Sequence, residues 1–135
     1  MVVDTMVFAY ALLGVPQFRE EASAVLARVD RVDVPDILHA ELANVAWQGV
    51  RAGHVDASDA LDMLDAAAGL VDEATASTVL WHDALMLSVD RNHPVYDTLF
   101  VALAAAKATR VVTYDLKMRR RFPEWTVSPT DLLSA

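Results

Sequence analysis

Residues 96–107, YDTLFVALAAAK, and residues 110–114, RVVTY, decide the fold of this 135-residue chain. The first segment is apolar on nearly every face of a helix, which is typical of a helix buried between two layers. The second is a short run of β-branched and aromatic residues and predicts a strand. A buried helix next to a buried strand is typical of a parallel sheet covered on both faces.

The rest of the chain repeats this alternation. Four strands are predicted: Val2-Val3, Arg31–Val34, Arg110–Tyr114 and Trp125–Val127. Helices are predicted over Val7–Leu13, 17–29, Ile37–Ala52, 57–68, Ala76–Val89, Tyr96–Lys107 and Leu116–Phe122, with Asp36 and Asp56 as caps. We therefore expect a three-layer α/β/α sandwich with a mainly parallel central sheet, formed by residues 1–135 as a single domain.

The composition is that of a folded protein. Hydrophobic residues make up 55% of the chain and charged residues 22%, which is far from the composition of disordered chains. The lack of cysteine excludes disulfides, a thiolate nucleophile and sulfur-bound metals. No basic leader and no apolar run of about 20 residues is present, so we expect a cytoplasmic protein without a membrane segment.

Charge is unevenly distributed along the chain. The formal net charge is −8, from 11 basic and 19 acidic residues. Residues 56–90 hold eight of the acids and no Lys or Arg, whereas residues 107–121 hold six of the eleven basic residues. The overall acidity argues against non-specific nucleic-acid binding, but the basic cluster is compatible with a specific contact.

Two acids follow predicted strands directly. Asp4 comes after Val2-Val3, and Asp115 comes after the strand that ends at Tyr114. Ligands of open parallel sheets bind at the carboxyl ends of the strands, so we expect both acids at one edge. Asp97 lies in the first turn of the buried helix, where the helix dipole stabilises its charge.

Glu41 lies early in the helix that begins at Ile37, with Asn44 one turn further on. Each acid also has a simpler interpretation: Asp97 as an ordinary helix N-terminal acid, Glu41 as part of a solvated face, and Asp115 as a helix cap. If the acids instead converge without a basic partner, they need a cation or raised pKa values. A hard divalent ion, Mg²⁺ or Mn²⁺, suits such oxygen ligands.

Four segments together resemble the motifs of PIN domains, in particular those of VapC-type toxins. They are Val3-Asp4-Thr5, Glu41, the stretch from Tyr96 to Ala104, and Val111-Val112-Thr113-Tyr114-Asp115. Their order and spacing cover essentially the whole chain. The acid followed by an apolar, alanine-rich helix is the most specific of them.

The resemblance implies a metal-dependent ribonuclease that hydrolyses RNA phosphodiester bonds, with Mg²⁺ or Mn²⁺ as cofactor. It assigns the acidic site to Asp4, Glu41, Asp97 and Asp115, with Thr113 and Asn44 in support. It further implies a toxin silenced by a cognate antitoxin protein. The sequence departs from the family at Met6, where such proteins often have Asn or Ser, so a catalytically weak or inactive binding domain on the same fold is the alternative.

Several other features have two interpretations. Lys117, Arg119, Arg120 and Arg121 follow Asp115 and either position RNA phosphates or form an ordinary basic surface. The four histidines, including His93, are not spaced along the sequence as metal ligands usually are. We expect them at the surface or at helix ends. The three tryptophans, Trp47, Trp81 and Trp125, are expected to pack in the core rather than to stack on bases.

An apolar partner surface is also expected. The mean hydropathy is +0.29, and the first helix carries an apolar run that is too rich for one buried face: Val7, Phe8, Tyr10, Leu12 and Leu13. A homodimer or a bound antitoxin would cover it.

Other α/β families are excluded. A phosphoacceptor receiver domain needs an Asp at the end of a central strand near mid-chain, where residues 37–53 instead predict a helix. A haloacid-dehalogenase phosphatase needs a second Asp at the position of Met6.

Overall fold

The computed structural model describes all residues from Met1 to Ala135. Five strands form one sheet in the order β3-β2-β1-β4-β5, and every neighbouring pair is parallel. Their bounds are β1 Val2–Val3, β2 Asp33–Pro35, β3 Glu73–Thr75, β4 Val111–Val112 and β5 Thr126–Val127. Because all five run the same way, their carboxyl ends lie along one edge of the sheet.

Eight helices connect and follow the strands. They are α1 Thr5–Leu12, α2 Arg19–Arg28, α3 Ile37–Arg51, α4 Ala57–Leu70, α5 Ser77–Arg91, α6 Val95–Ala106, α7 Leu116–Arg121 and α8 Pro129–Ser134. Helix α6 packs on β1, β2 and β4, and α5 packs on α6; α1 contacts α2, α3 and α4. The predicted three-layer α/β/α architecture is confirmed.

The core depends most on α6. Its residues 98–104 are all buried, and Phe100, Val101 and Ala104 are completely shielded from solvent. Val2 and Val111, which lie opposite each other in β1 and β4, are also completely buried. The prediction of an interior helix beside a central strand pair is therefore confirmed.

Two elements were not predicted. Strand β3 is a three-residue edge strand with two exposed residues, so it lacks the apolar alternation by which a strand is recognised. Helix α8 begins with Ser128 as N-cap, whose Oγ accepts a hydrogen bond from Asp131 N at 3.0 Å, and has Pro129 at its first position. That Ser-Pro pair is a helix start signal.

The capping prediction for Asp36 was wrong. Its side chain makes no cap bond to α3. Instead Asp36 Oδ1 accepts hydrogen bonds from the backbone N and the hydroxyl of Ser77, at 3.0 and 2.5 Å. Because β2 and β3 are neighbours, the start of α5 lies beside the start of α3, and Asp36 joins the two. Asp56 does cap α4, accepting from Asp59 N at 2.8 Å.

The predicted apolar surface is on a different helix. In α1, Val7 and Phe8 are completely buried, and its partly exposed apolar residues pack on the core. The exposed apolar side chains concentrate on α5 instead: Val79, Trp81, Leu85, Met86 and Val89.

The core assignment was wrong for Trp47 and Trp81, which are both more than half exposed; Trp125 packs against the core. None of the helices has both the length and the apolar character needed to cross a bilayer.

Candidate functional site

Asp4 and Asp115 lie at the carboxyl ends of adjacent central strands. Val3 pairs with Val112 in the sheet, and Asp4 N donates to Val112 O at 3.1 Å. Both acids also start helices. Asp4 Oδ1 accepts from Thr5 N at 2.8 Å, and Asp115 Oδ1 accepts from Met118 N at 2.8 Å. The capping interpretation of Asp115 is therefore correct, and it coexists with a place at the site.

Thr113 joins these two acids. Its Oγ1 donates a hydrogen bond to Asp4 Oδ2 and accepts one from the backbone N of Asp115 at 3.0 Å. The Thr113 side chain is completely buried, so both bonds are shielded from competition with water. One hydroxyl thus sets the orientation of the Asp4 carboxylate and the path of the chain into Asp115.

Glu41 reaches the site from α3. Its Oε1 accepts a hydrogen bond from Thr5 Oγ1 at 2.9 Å, and Thr5 itself is buried. Glu41 is therefore half-buried and tied to the start of α1, which is not the behaviour of a solvated face. Asn44, one turn further along α3, is exposed but lines the same cavity.

Asp97 lies in the first turn of α6, half-buried. Its Oδ2 is 2.8 Å from Nε2 of His93, whose side chain is 1% exposed. His93 lies at a helix end, one of the two expected places, but its side chain is buried rather than exposed. The sequence offered one signal, an i, i+4 spacing to Asp97, but Pro94 stands between the two residues, and burial of the ring depends on contacts that are distant in sequence.

The four acids line one cavity of about 400 Å³ at the carboxyl edge of the sheet. Its lining has no Lys or Arg and consists of Asp4, Thr5, Met6, Tyr10, Glu41, Asn44, Val45, Asp97, Tyr114 and Asp115. One wall is acidic and the other is apolar and aromatic. Tyr10 stacks on Phe18 at 4.6 Å between ring centroids and meets Tyr114 edge-on at 5.0 Å, an aromatic cluster that was not predicted.

The comparison with family models decides the identity of this fold. The model of the PIN domain matches residues 1–121. This chain belongs to the PIN domain family. The resemblance drawn from the sequence is thereby confirmed over most of the chain.

Individual relatives resemble this PIN domain along most of their length. Ribonuclease VapC3 of Pyrobaculum aerophilum is 28% identical over 126 residues, which cover 91% of this chain and 95% of that protein. The crystal structure of PAE2754 from Pyrobaculum aerophilum superposes with a TM-score of 0.75 at 19% identity, covering 98% of this chain and 85% of that chain.

VapBC2 from Rickettsia felis, solved with a DNA fragment from its promoter, superposes with a TM-score of 0.67 at 16% identity. The match covers 94% of this chain and 96% of that chain. At these identities both structural likenesses establish the fold.

The surroundings of the acids in this PIN domain disfavour their ionised forms. Burial raises the pKa of Asp4 from 3.8 to about 7, against the opposing hydrogen bonds from Thr113 and Thr5. Burial also raises the pKa of Glu41 and of Asp97. Repulsion from Asp97 adds to the shift at Glu41, and repulsion from Asp115 adds to the shift at Asp97. The lining therefore favours neutral acids or a compensating cation.

The donor set fits a hard divalent ion. Every polar side chain in the cavity lining presents oxygen, and the basic groups that act on the carboxylates, His93 and Lys117 at Asp97, lie outside the lining. No three carboxylate or imidazole groups stand close enough together to enclose an ion by themselves. That arrangement suits Mg²⁺, which usually keeps several waters and takes one or two direct carboxylates.

The basic residues of α7 lie outside the cavity lining. Lys117, Arg120 and Arg121 are exposed, and Arg119 is half-buried. Arg121 makes hydrogen bonds within the protein. Its Nη1 donates to Arg91 O at 3.0 Å, and Arg91 Nη1 donates to Arg121 O at 2.8 Å. Lys117 acts on Asp97 from α7, where it opposes the rise in the pKa of that carboxyl.

The raised pKa of Asp4 predicts a pH-dependent stability in chelator. The native state holds the proton of Asp4 up to about pH 7, whereas the unfolded state loses it near 3.8. The free energy of unfolding should therefore fall as pH rises from about 4 to about 7, by at most about 4 kcal/mol, and then level off. Asp4→Asn should remove this fall.

Urea denaturation of both proteins across that pH range measures the effect as the difference between wild type and Asp4→Asn, so that all other groups cancel. Asp62→Asn, an exposed acid on α4, is the matched control and should follow wild type. A difference that does not change with pH would contradict the assignment to Asp4.

Proposed function

We propose that this PIN domain is a metal-dependent endoribonuclease that hydrolyses RNA phosphodiester bonds. The observation that carries the proposal is the convergence of four carboxylates, from β1, α3, α6 and the end of β4, on one cavity without a basic residue. The ribonuclease name of the Pyrobaculum relative supports it. In this proposal residues 1–135 form one catalytic domain.

The metal would be held by Asp4, Glu41, Asp97 and Asp115, with one or two of them in direct contact with the ion and the others acting through bound water. When bound, Mg²⁺ or Mn²⁺ supplies a Lewis acid for a phosphodiester oxygen and lowers the pKa of a bound water to give the nucleophile. The support is the oxygen-only donor set and the raised pKa values of three of these acids.

The surrounding residues of the chain would keep the acids in place. Thr113 and Thr5 donate to Asp4 and Glu41, respectively, from buried positions. Each donor removes rotational freedom from a carboxylate before the ion arrives, so less ordering is required at binding. Asn44 would contribute an amide to the substrate or to an ordered water on the α3 side of the cavity.

We propose Lys117, Arg119, Arg120 and Arg121 as the RNA-binding residues. Helix α7 starts directly at Asp115, so its exposed cations lie near the acidic wall, where a scissile phosphate would lie. The free carboxylates repel RNA, and nearby cations offset that repulsion. Arg120 is the most suitable of them to test, because it is exposed and makes no hydrogen bond within the protein.

We further propose that the protein is the toxin of a toxin–antitoxin pair and that it forms a homodimer. The VapBC2 structure and the VapC relative support a partner protein. For the homodimer, the support is the row of exposed apolar side chains on α5, which includes Val79, Met86 and Val89. Exposed apolar groups concentrated on one helix are typical of a contact surface.

A catalytically weak or inactive binding domain is the second candidate. Met6 favours it, because its side chain lines the cavity two residues after Asp4, where related proteins often have a polar residue. Cleavage that needs both the metal and Asp97 separates the two candidates.

Asp97→Asn should abolish RNA cleavage and leave the fold intact. The amide keeps the size of the side chain but removes one charge from a repelling cluster, so the metal-free protein should melt at an equal or higher temperature while binding Mn²⁺ more weakly. Gel assays of a long RNA substrate with Mn²⁺ and with chelator, together with melting curves, measure both effects.

Asp83→Asn, an exposed acid on α5, should cleave as wild type does. Metal-dependent cleavage by purified Asp97→Asn at the wild-type rate would mean that the site is elsewhere.

Arg120→Ala should weaken RNA binding without changing the chemistry. We expect a raised KM, an unchanged kcat and a smaller dependence of KM on salt, with the slope against log[salt] reduced by about one unit or less. Steady-state cleavage at several salt concentrations measures these quantities. Arg51→Ala, an exposed cation at the end of α3, serves as the control, and an identical effect there would indicate bulk charge rather than a contact.

Met86→Glu should dissociate the homodimer. Met86 is 65% exposed on α5, and a charge placed within an apolar contact would stay unpaired on association. Sedimentation velocity should show wild type as a dimer and the variant as a monomer. Leu61→Glu, which changes a 64% exposed residue on α4, should remain dimeric; a monomeric wild type would contradict the proposal.

A further inference from the structure

His93 is a buried polar side chain at the junction of two helices. It lies between the end of α5 at Arg91 and the start of α6 at Val95, and its ring packs edge-on against Phe122 at 5.6 Å between centroids. Only 1% of the side chain is exposed. A polar ring with so little access to water needs a partner inside the protein.

The partner is Asp97. Nε2 of His93 is 2.8 Å from Oδ2 of Asp97, whereas Nδ1 is buried without a hydrogen-bond partner. A neutral imidazole carries one proton, and a proton on Nδ1 would be a buried donor with no acceptor. The proton therefore lies on Nε2, which donates to the carboxylate, and the bare Nδ1 faces the interior.

This contact leaves the two oxygens of Asp97 in different states. Oδ2 accepts a hydrogen bond from His93, and no protein group donates to Oδ1. The backbone of Asp97 is set by its place in the first turn of α6, where its N donates to Pro94 O at 3.2 Å. The side chain makes one hydrogen bond within the protein, the one to His93.

We propose that His93 is a positioning residue: it fixes Asp97 through Oδ2 so that Oδ1 is the oxygen presented to the divalent cation. The inference rests on the proposed metal-dependent function and adds a residue outside the cavity lining to it. An imidazole that holds the second oxygen of a ligand carboxylate raises metal affinity by orienting the ligand before binding.

The test compares substitutions of His93 by Gln and by Asn, whose side-chain amide nitrogens lie at different distances from the backbone. In His93→Gln the amide nitrogen occupies the place of Nε2 and can still donate to Asp97, whereas in His93→Asn it occupies the place of Nδ1 and cannot. His93→Leu removes the donor and keeps an apolar side chain against Phe122. Ser88→Ala is the control, because it removes a partly buried hydrogen bond to Thr98, 2.7 Å long, between α5 and α6 without touching an acid.

Two measurements on the full chain are needed. Mn²⁺ affinity is measured by electron paramagnetic resonance of the free ion, without RNA, and the fold is followed by thermal melting in chelator. We expect His93→Leu and His93→Asn to raise the Kd for Mn²⁺ about 10- to 100-fold, and His93→Gln to stay within a few-fold of wild type. Ser88→Ala should lower the melting temperature and leave the Kd unchanged.

A second readout follows the tautomer directly. The ¹⁵N spectrum of the wild-type imidazole should show a protonated Nε2 and a bare Nδ1, and Asp97→Asn should change it.

Three results would overturn the inference: wild-type Mn²⁺ affinity in a folded His93→Leu, equal losses in the Gln and Asn variants, or a loss of affinity in Ser88→Ala that matches its loss of stability. If His93→Leu does not fold, the comparison of Gln with Asn decides. Should Asp97→Asn abolish Mn²⁺ binding while His93 variants bind normally, only this inference fails. Should wild type bind no Mn²⁺, the proposed function fails and this inference with it.

Discussion

The bond from the Thr113 hydroxyl to Asp4 is the contact on which the site depends. It links the ends of β1 and β4, the two strands at the centre of the sheet, and at the same time it holds a carboxylate whose burial is unfavourable. A buried acid near other acids would turn away or draw in water unless donors held it. Because Thr113 holds Asp4 in place, the acids can lie close together beside the close-packed core.

The same arrangement recurs around the cavity. Glu41, Asp97 and Asp115 each have one oxygen held by a donor from the protein, while no protein group donates to the other oxygen. The donors come from the start of α1, the α5–α6 junction and the first turn of α7, so several elements of the fold contribute to holding the acids. A site built this way is oriented by the fold, and each of these three acids keeps one oxygen without a protein donor.

Much of this could be predicted from local sequence. The apolar α6 and the strands around it set the three layers, predicted boundaries agree within two residues, and strand ends located Asp4 and Asp115. Contacts between distant residues could not be predicted. His93 owes its burial to Phe122, Asp36 caps a helix that starts 41 residues later, and β3 is recognisable only by its pairing with β2.

The order of the strands affects when the site can form during synthesis. Val2 and Val3 are made long before their partners in β4, Val111 and Val112. Contacts of such high sequence separation make folding slow, and a chain grows at roughly 5–20 residues per second. The acidic cavity therefore cannot assemble until the chain has been made as far as Thr113 and Asp115, long after Asp4.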